Sequence, residues 1–191
     1  MIIGFHGCKG VGKDTAAQFL VDTYDFNKVA FADPLKEAVA NLLDIHVDDV
    51  DMYKDNPDVR VGTFNPTRTD NRDSNHYTMR QFLQRFGTEM GRNTFGYDFW
   101  VDQWEDYLYR NSIHTDNIVV SDVRFKNEAE KIQHMGGTVV RITRPGYEPD
   151  GHASEEPLPR ILIDAEINNN GTLDDLRVDI HHLYKGLVRN V

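Results

Sequence analysis

The 191-residue chain predicts an α/β fold, a parallel sheet of about five strands covered by helices. Three observations predict it. Short apolar runs at 2–6, 28–31, 117–121, 138–143 and 161–167 alternate with stretches of helical periodicity. A glycine-rich turn joins the first run directly to the first helical stretch, at 13–23. Near the C-terminus, a segment that Thr172 can cap repeats Leu173, Leu176, Ile180, Leu183 and Leu187 at steps of three and four, the stripe of a helix lying on a core.

After the second apolar run, Asp33-Pro34 opens a helix with a capping residue followed by proline, and Leu35, Ala38, Val39, Leu42 and Leu43 fall on one face. Residues 46–77 are rich in Asp, Asn, Pro and Thr and offer few core candidates, so they read as an insertion over a site. Helices are expected at 78–92 and 98–110, the latter presenting Trp100, Val101, Trp104 and Leu108 on one side. Residues 144–160, RPGYEPDGHASEEPLPR, carry too many prolines and glycines for a helix or a central strand, which suggests a lid. The expected organisation is a single domain over 1–191, with a substrate-binding insertion at 46–110 and a lid at 144–160.

Composition narrows the function classes. Lys+Arg 21 against Asp+Glu 31 gives a net charge of -10, which argues against a protein that tracks along a nucleic-acid polymer. A small anionic substrate remains allowed, because only its pocket must be positive. The single Cys8 leaves no intrachain disulfide, the N-terminus does not read as a signal peptide, and no apolar run approaches the roughly 20 residues of a membrane span. A cytoplasmic protein without a membrane partner is expected, and a homodimer is compatible with the sequence.

The chemistry is concentrated in Gly7-Cys8-Lys9-Gly10-Val11-Gly12-Lys13-Asp14-Thr15, directly after a strand and before a helix. That context is the one a phosphate-binding loop requires. Glycines let the backbone curl so that N–H groups face phosphate oxygens, and the helix N-terminus adds partial positive charge. Lys13 then neutralises the terminal phosphates. Where Ser or Thr usually follows the lysine stands Asp14, a hard oxygen donor for Mg²⁺, with Thr15 one position on. The second signal is the apolar strand ending Ser121-Asp122-Val123-Arg124. Ligands collect at the carboxyl ends of strands in open α/β sheets, so Asp122 is a candidate for Mg²⁺ or the acceptor, and Arg124 for phosphate. Asp also commonly caps a following helix, but beside the phosphate loop the functional reading of Asp122 is preferred.

These motifs, with FADPLK at 31–36, RQFLQRFGTEMGR at 80–92, DFW at 98–100, SDVRFKNEAE at 121–130, HASE at 152–155 and INNNGTLDDL at 167–176, run nearly end to end. Together they resemble the deoxynucleoside monophosphate kinases of bacteriophages. The resemblance implies a P-loop kinase fold that moves the γ-phosphoryl of ATP to a dNMP with Mg²⁺, yielding dNDP and ADP. It places the ATP phosphates on Gly10, Gly12, Lys13, Asp14 and Thr15. Lys9, Ala32, Asp33, Arg80, Gln84, Gly87, Thr88, Arg92 and Trp100 become candidates for the acceptor, joined by Asp122 and Arg124. Asn168, Asn169 and Gly171 would form the turn that holds adenine, Arg141 and Arg144 would close over ATP, and His152 is a weaker phosphate candidate. Asp14, Thr15 and Asp122 are the metal candidates.

An acceptor phosphate is already anionic, so position and charge from Lys13, Arg92, Arg124 and Arg144 would suffice without a general base. Other small-molecule P-loop kinases, of the phosphomevalonate or dephospho-coenzyme A type, share this loop and size. A non-enzymatic nucleotide-sensing module is the reading from another class, and ADP release that depends on a dNMP separates it.

Overall fold

The structure, a computed structural model, describes residues 1–61, 77–114, 116–147 and 157–189. Its chain divides into two compact units, Met1–Phe31 with Asp106–Val191, and Ala32–Glu105.

The first unit is built on β1 (Ile2–His6), all five of whose residues are buried. A strand covered on both faces has to sit inside a parallel sheet with helices on either side. β1 pairs in parallel with β5 (Ile118–Val123) on one edge and β6 (Thr138–Thr143) on the other. Beyond them lie β2 (Asn27–Val29) against β5 and β7 (Ala165–Asn168) against β6, so the order is β2-β5-β1-β6-β7 and every pairing is parallel. Ile3 and Phe5 of β1, Val119, Val140 and Ile142 form the core with Ala16, Ala17 and Leu20 of α1 (Lys13–Tyr24) and Leu176 and Ile180 of α7 (Leu173–Arg189). The sheet is close to α6 (Lys126–His134), where a Cβ on Gly4 would come within 2.4 Å of Ile132.

The five expected strands are present, those at 2–6 and 138–143 with the expected ends and the other three with shifted ends. The second is Asn27–Val29 rather than 28–31, and Phe31 is buried beyond its end. The third runs on to Val123. The last, expected at 161–167, splits into a 3₁₀ turn (Arg160–Leu162) and β7, because Asp164 accepts from the Val139 N–H at 2.8 Å before pairing begins. In α7 the apolar stripe starts at Leu176, since Leu173 is half exposed. Thr172 does cap that helix, its hydroxyl accepting from Asp175 N–H while the Asp175 carboxylate accepts from Thr172 N–H.

The second unit opens with α2 (Asp33–Leu43), which has proline in its first turn, and α3 (Val47–Lys54). A two-residue antiparallel pair, β3 (Arg60–Val61) with β4 (Tyr77–Thr78), leads into α4 (Met79–Arg85). Val39, Ala40, Val50, Val61, Met79 and Leu83 make its core. Because Val39 and Ala40 belong to that core, the unit begins at Ala32 instead of the expected position 46, and it closes at Glu105, inside α5 (Phe99–Arg110). Trp100, Val101, Trp104 and Leu108 of α5 are all buried, as their spacing predicts.

The helix expected at 78–92 changes character halfway. After Arg85 the winding widens into a π-helix, Phe86–Phe95. Trp100 explains it: its indole N–H donates to the Gly87 carbonyl at 2.7 Å, and a Cβ on Gly91 would lie 2.1 Å from that nitrogen. A side chain inserted at the carbonyl ladder opens the turn.

Candidate active site

The loop between β1 and α1 has the geometry its sequence requires. Gly10 and Gly12 hold φ of 84° and 107°, a region that side chains resist, and Gly7 at 148° passes so near β6 that a Cβ would sit 2.2 Å from the Ile142 carbonyl oxygen. Gly12 brings no side chain to cap α1, so the helix meets the loop with its positive end undressed by a capping group. Lys13 is 8% exposed and its Nζ donates to the carbonyls of Gly7 and Cys8, each at 2.7 Å. Those bonds park an ammonium across the mouth of the loop, where terminal phosphates would meet it.

Asp14 and Thr15 lie exposed on the first turn of α1. The Asp14 carboxylate takes the Lys28 ammonium of β2 at 2.8 Å. Burial raises the Asp14 carboxyl, but the hydrogen bond and charge of Lys28, with Ser121 and Lys13 behind them, outweigh it and hold the group below its ordinary value. At the carboxyl end of β5, Asp122 accepts from the Phe31 N–H at 2.8 Å. The buried Glu128 accepts from the N–H groups of Arg124 and Phe125 at 2.7 and 3.0 Å, which fixes the backbone from which the half-buried Arg124 side chain projects.

Arg141 has other employment than closing over nucleotide. It donates to the Leu158 carbonyl at 2.6 Å and pairs with Glu166 at 3.4 Å, so it ties β6 to β7 and to the chain beyond. Arg144 is exposed, 5.5 Å from the Tyr147 ring, and that ring lies over Gly10, whose Cβ would meet it at 2.5 Å. Asn168 is exposed at the end of β7, whereas the Asn169 side chain is buried and donates to the Val11 carbonyl at 2.8 Å. Gly171 sits against the Asp175 carboxylate that caps α7. His152 and most of the expected lid fall outside the described residues.

In the second unit, the acceptor candidates Arg80 and Arg92 lie on consecutive helices, and each has a partner. Arg80 pairs with Asp55 at 2.7 Å. Arg92 donates to the Tyr97 carbonyl at 3.1 Å with its guanidinium 5.7 Å from the Tyr97 ring. Gln84 is exposed, Thr88 half-buried, and Lys9 exposed on the phosphate loop of the first unit. Asp33 lies 3.7 Å from Lys36, whose shorter bond, 2.8 Å, goes to Asp51, and Ala32 precedes them at the N-terminal end of α2. Trp100 is 6% exposed and packed under the π-helix, with its indole N–H on the Gly87 carbonyl.

Sequence reasoning missed four contributors. Lys28, Tyr147 and the buried His6 act through partners far along the chain that no local pattern announces, whereas Glu128 closes a local capping box at the start of α6 that went unread. His6 ties the end of β5 to the chain before the 3₁₀ turn: one ring nitrogen meets the Val123 carbonyl at 3.0 Å and the other accepts from Leu158 N–H at 3.2 Å. Burial pushes its pKa down, and Arg141, Lys13 and Arg124 push the same way, against the Val123 hydrogen bond.

A glycine-lined loop and lysine between the central strand and the first helix of a β2-β5-β1-β6-β7 parallel sheet define a P-loop phosphotransferase. A solved structure from Chloroflexus aurantiacus that carries a kinase name shares this fold over 100% of this chain and 97% of its own, with TM-score 0.51 and 12% identity. The signature of the family described as deoxynucleotide monophosphate kinase matches residues 57–180, and the chain belongs to that family. A relative from Acanthamoeba polyphaga mimivirus that bears the family's name is 34% identical, across 92% of this chain and 91% of its own length. The deoxynucleotide monophosphate kinase of Enterobacteria phage T4 is 26% identical, across 97% and 99%.

Proposed function

We propose that the protein transfers the γ-phosphoryl group of ATP to a deoxynucleoside monophosphate, giving dNDP and ADP. The observation that carries this reading is the phosphate loop itself, with Lys13 seated on the Gly7 and Cys8 carbonyls, in a chain of this family. The triphosphate lies along the loop from Gly10 to Thr15, and Arg144 and Tyr147 approach it over Gly10. Asp14, Thr15 and Asp122 supply hard oxygen donors at the ends of neighbouring elements. That set suits Mg²⁺, which enters with the phosphates and needs only one or two protein carboxylates. When bound, the ion would neutralise charge on the phosphate oxygens. Lys28 already holds one Asp14 oxygen, so Asp122 or water completes the protein's share.

Arg92 and Arg80 grip the acceptor phosphate. A guanidinium offers two parallel N–H donors to it, and the acceptor attacks as an anion without a general base. Lys13, Arg124 and Arg144 stabilise charge on the transferring group. A cytoplasmic location, where ATP and dNMPs are at hand, is part of this reading. The test is a coupled assay of ADP release with ATP and each dNMP and NMP in turn. Release that depends on a deoxynucleoside monophosphate supports the reading, and ATP turnover indifferent to every nucleotide acceptor overturns it.

A further inference from the structure

Asn169 was singled out as a candidate near the adenine, yet its amide is turned inward. It is 6% exposed, and a buried amide is costly unless its donors are used. Its backbone N–H donates to the Thr143 carbonyl at 2.8 Å, which fastens it to the last residue of β6. Its Nδ2 reaches across 158 residues of sequence to the Val11 carbonyl, also at 2.8 Å.

The consequence follows from peptide geometry. No peptide bond among the described residues is cis, and in a trans peptide the C=O and N–H point in opposite directions. Holding the Val11 carbonyl toward Asn169 therefore aims the N–H of Gly12 away from it. Gly12 is shaped for the same contact: a Cβ there would lie 2.7 Å from Asn169 Nδ2 and 3.2 Å from Leu176. The glycine serves both a positive φ and the approach of this amide.

From this geometry we infer that Asn169 is a positioning residue of the phosphate site, one that sets the Val11–Gly12 peptide so that Gly12 N–H donates to the nucleotide's phosphates. It acts on the donor triphosphate and leaves the acceptor alone. The inference rests on the P-loop taking the triphosphate, as proposed above.

The decisive variant is Asn169→Asp in the full chain. An ionised carboxylate would face the Val11 carbonyl and release the peptide, whereas a protonated carboxyl has an O–H to donate and restores the bond. At pH 8 the KM for ATP should rise about tenfold, the scale of one buried hydrogen bond of about 1.4 kcal/mol, with the KM for dNMP unchanged. Lowering the pH to 6 should shrink the variant-to-wild-type ratio of KM for ATP. Asn169→Ala, which removes the donor without adding a charge, should weaken directly measured ATP binding about tenfold at both pH values. If Asn169→Asp does not fold, Asn169→Ala carries the test by itself. Equal ATP affinity in Asn169→Ala and wild type overturns the inference, as does a fall in kcat with both KM values unmoved. Because ATP binding is measured without acceptor, a wild type that binds ATP but phosphorylates no dNMP would sink the proposed reaction and leave Asn169 to be judged separately.

Discussion

The surroundings of the phosphate loop and the second unit, which we propose takes the acceptor, hold their polar side chains in opposite ways. Around the loop, Lys13, His6, Asn169 and Glu128 are buried and fastened to backbone at 2.7 to 3.2 Å, so donor geometry is set before any ligand arrives. Among the described residues of the second unit, Arg80 and Arg92 are half-buried and Arg85 exposed, and their partners include Asp55 for Arg80, Tyr77 and Glu89 for Arg85, and the Tyr97 carbonyl for Arg92. Exposed ion pairs are worth about 0–1 kcal/mol, so a dianionic phosphate can displace them cheaply. On the proposed reading, the first would be preorganised for the triphosphate and the second able to exchange its partners for an acceptor.

The largest expected effect breaks the rigid half. Lys13→Ala should cost about 10²-fold or more in kcat, the scale for losing a charge aimed at the transition state, with thermal unfolding little changed. Near-normal turnover in a folded variant would remove the loop from the chemistry. Next comes the exchangeable half. Arg92→Lys keeps the charge and loses the bidentate fork, so KM for dNMP should rise about tenfold while ATP affinity without acceptor stays constant. A change in ATP affinity would move Arg92 to the donor side.

A smaller effect sharpens the border between loop and metal. Lys28→Met removes the partner of Asp14 and should shift the Mg²⁺ concentration needed for half-maximal rate, and Asp14→Ser should shift it too. Identical Mg²⁺ titrations for both variants and wild type would show that this carboxylate is not near the metal.

The smallest effect concerns stability. A histidine whose folded pKa lies below its ordinary 6.5 is protonated more readily in the unfolded chain, so the unfolded state binds more protons and stability falls as pH drops below about 6.5. His6→Gln keeps an acceptor for Leu158 and does not titrate, so its melting temperature should depend less on pH between 7 and 5. Parallel pH profiles for the two proteins would clear His6 of this role.

What was legible in the sequence was local. The run from Gly7 to Thr15 declares its loop because strand, glycines, lysine and helix are adjacent, and the spacing of Trp100, Val101, Trp104 and Leu108 declares a buried helix face. What was not legible depended on register between distant strands. Arg141 reads as a nucleotide contact until β6 and β7 are aligned, whereupon Glu166 stands opposite it and Leu158 takes its guanidinium. The switch to a π-helix at Phe86 was hidden likewise, since it depends on Trp100 seating against Gly87 and Gly91.

The strand order also bears on how the chain is made. Among the described residues, β1 pairs only with β5 and β6, and β2 only with β5, so no two of these strands of the main sheet can meet until the chain has been synthesised past residue 118. The core of the second unit, from Val39 to Leu83, is complete well before then. On a ribosome that delivers residues from the N-terminus, the second unit can assemble first, while the phosphate loop waits with an unpaired β1 behind it. The phosphate loop, among the first residues made, is thus among the last to be supported by its sheet, and for that interval an apolar edge with nothing beside it depends on the speed of translation.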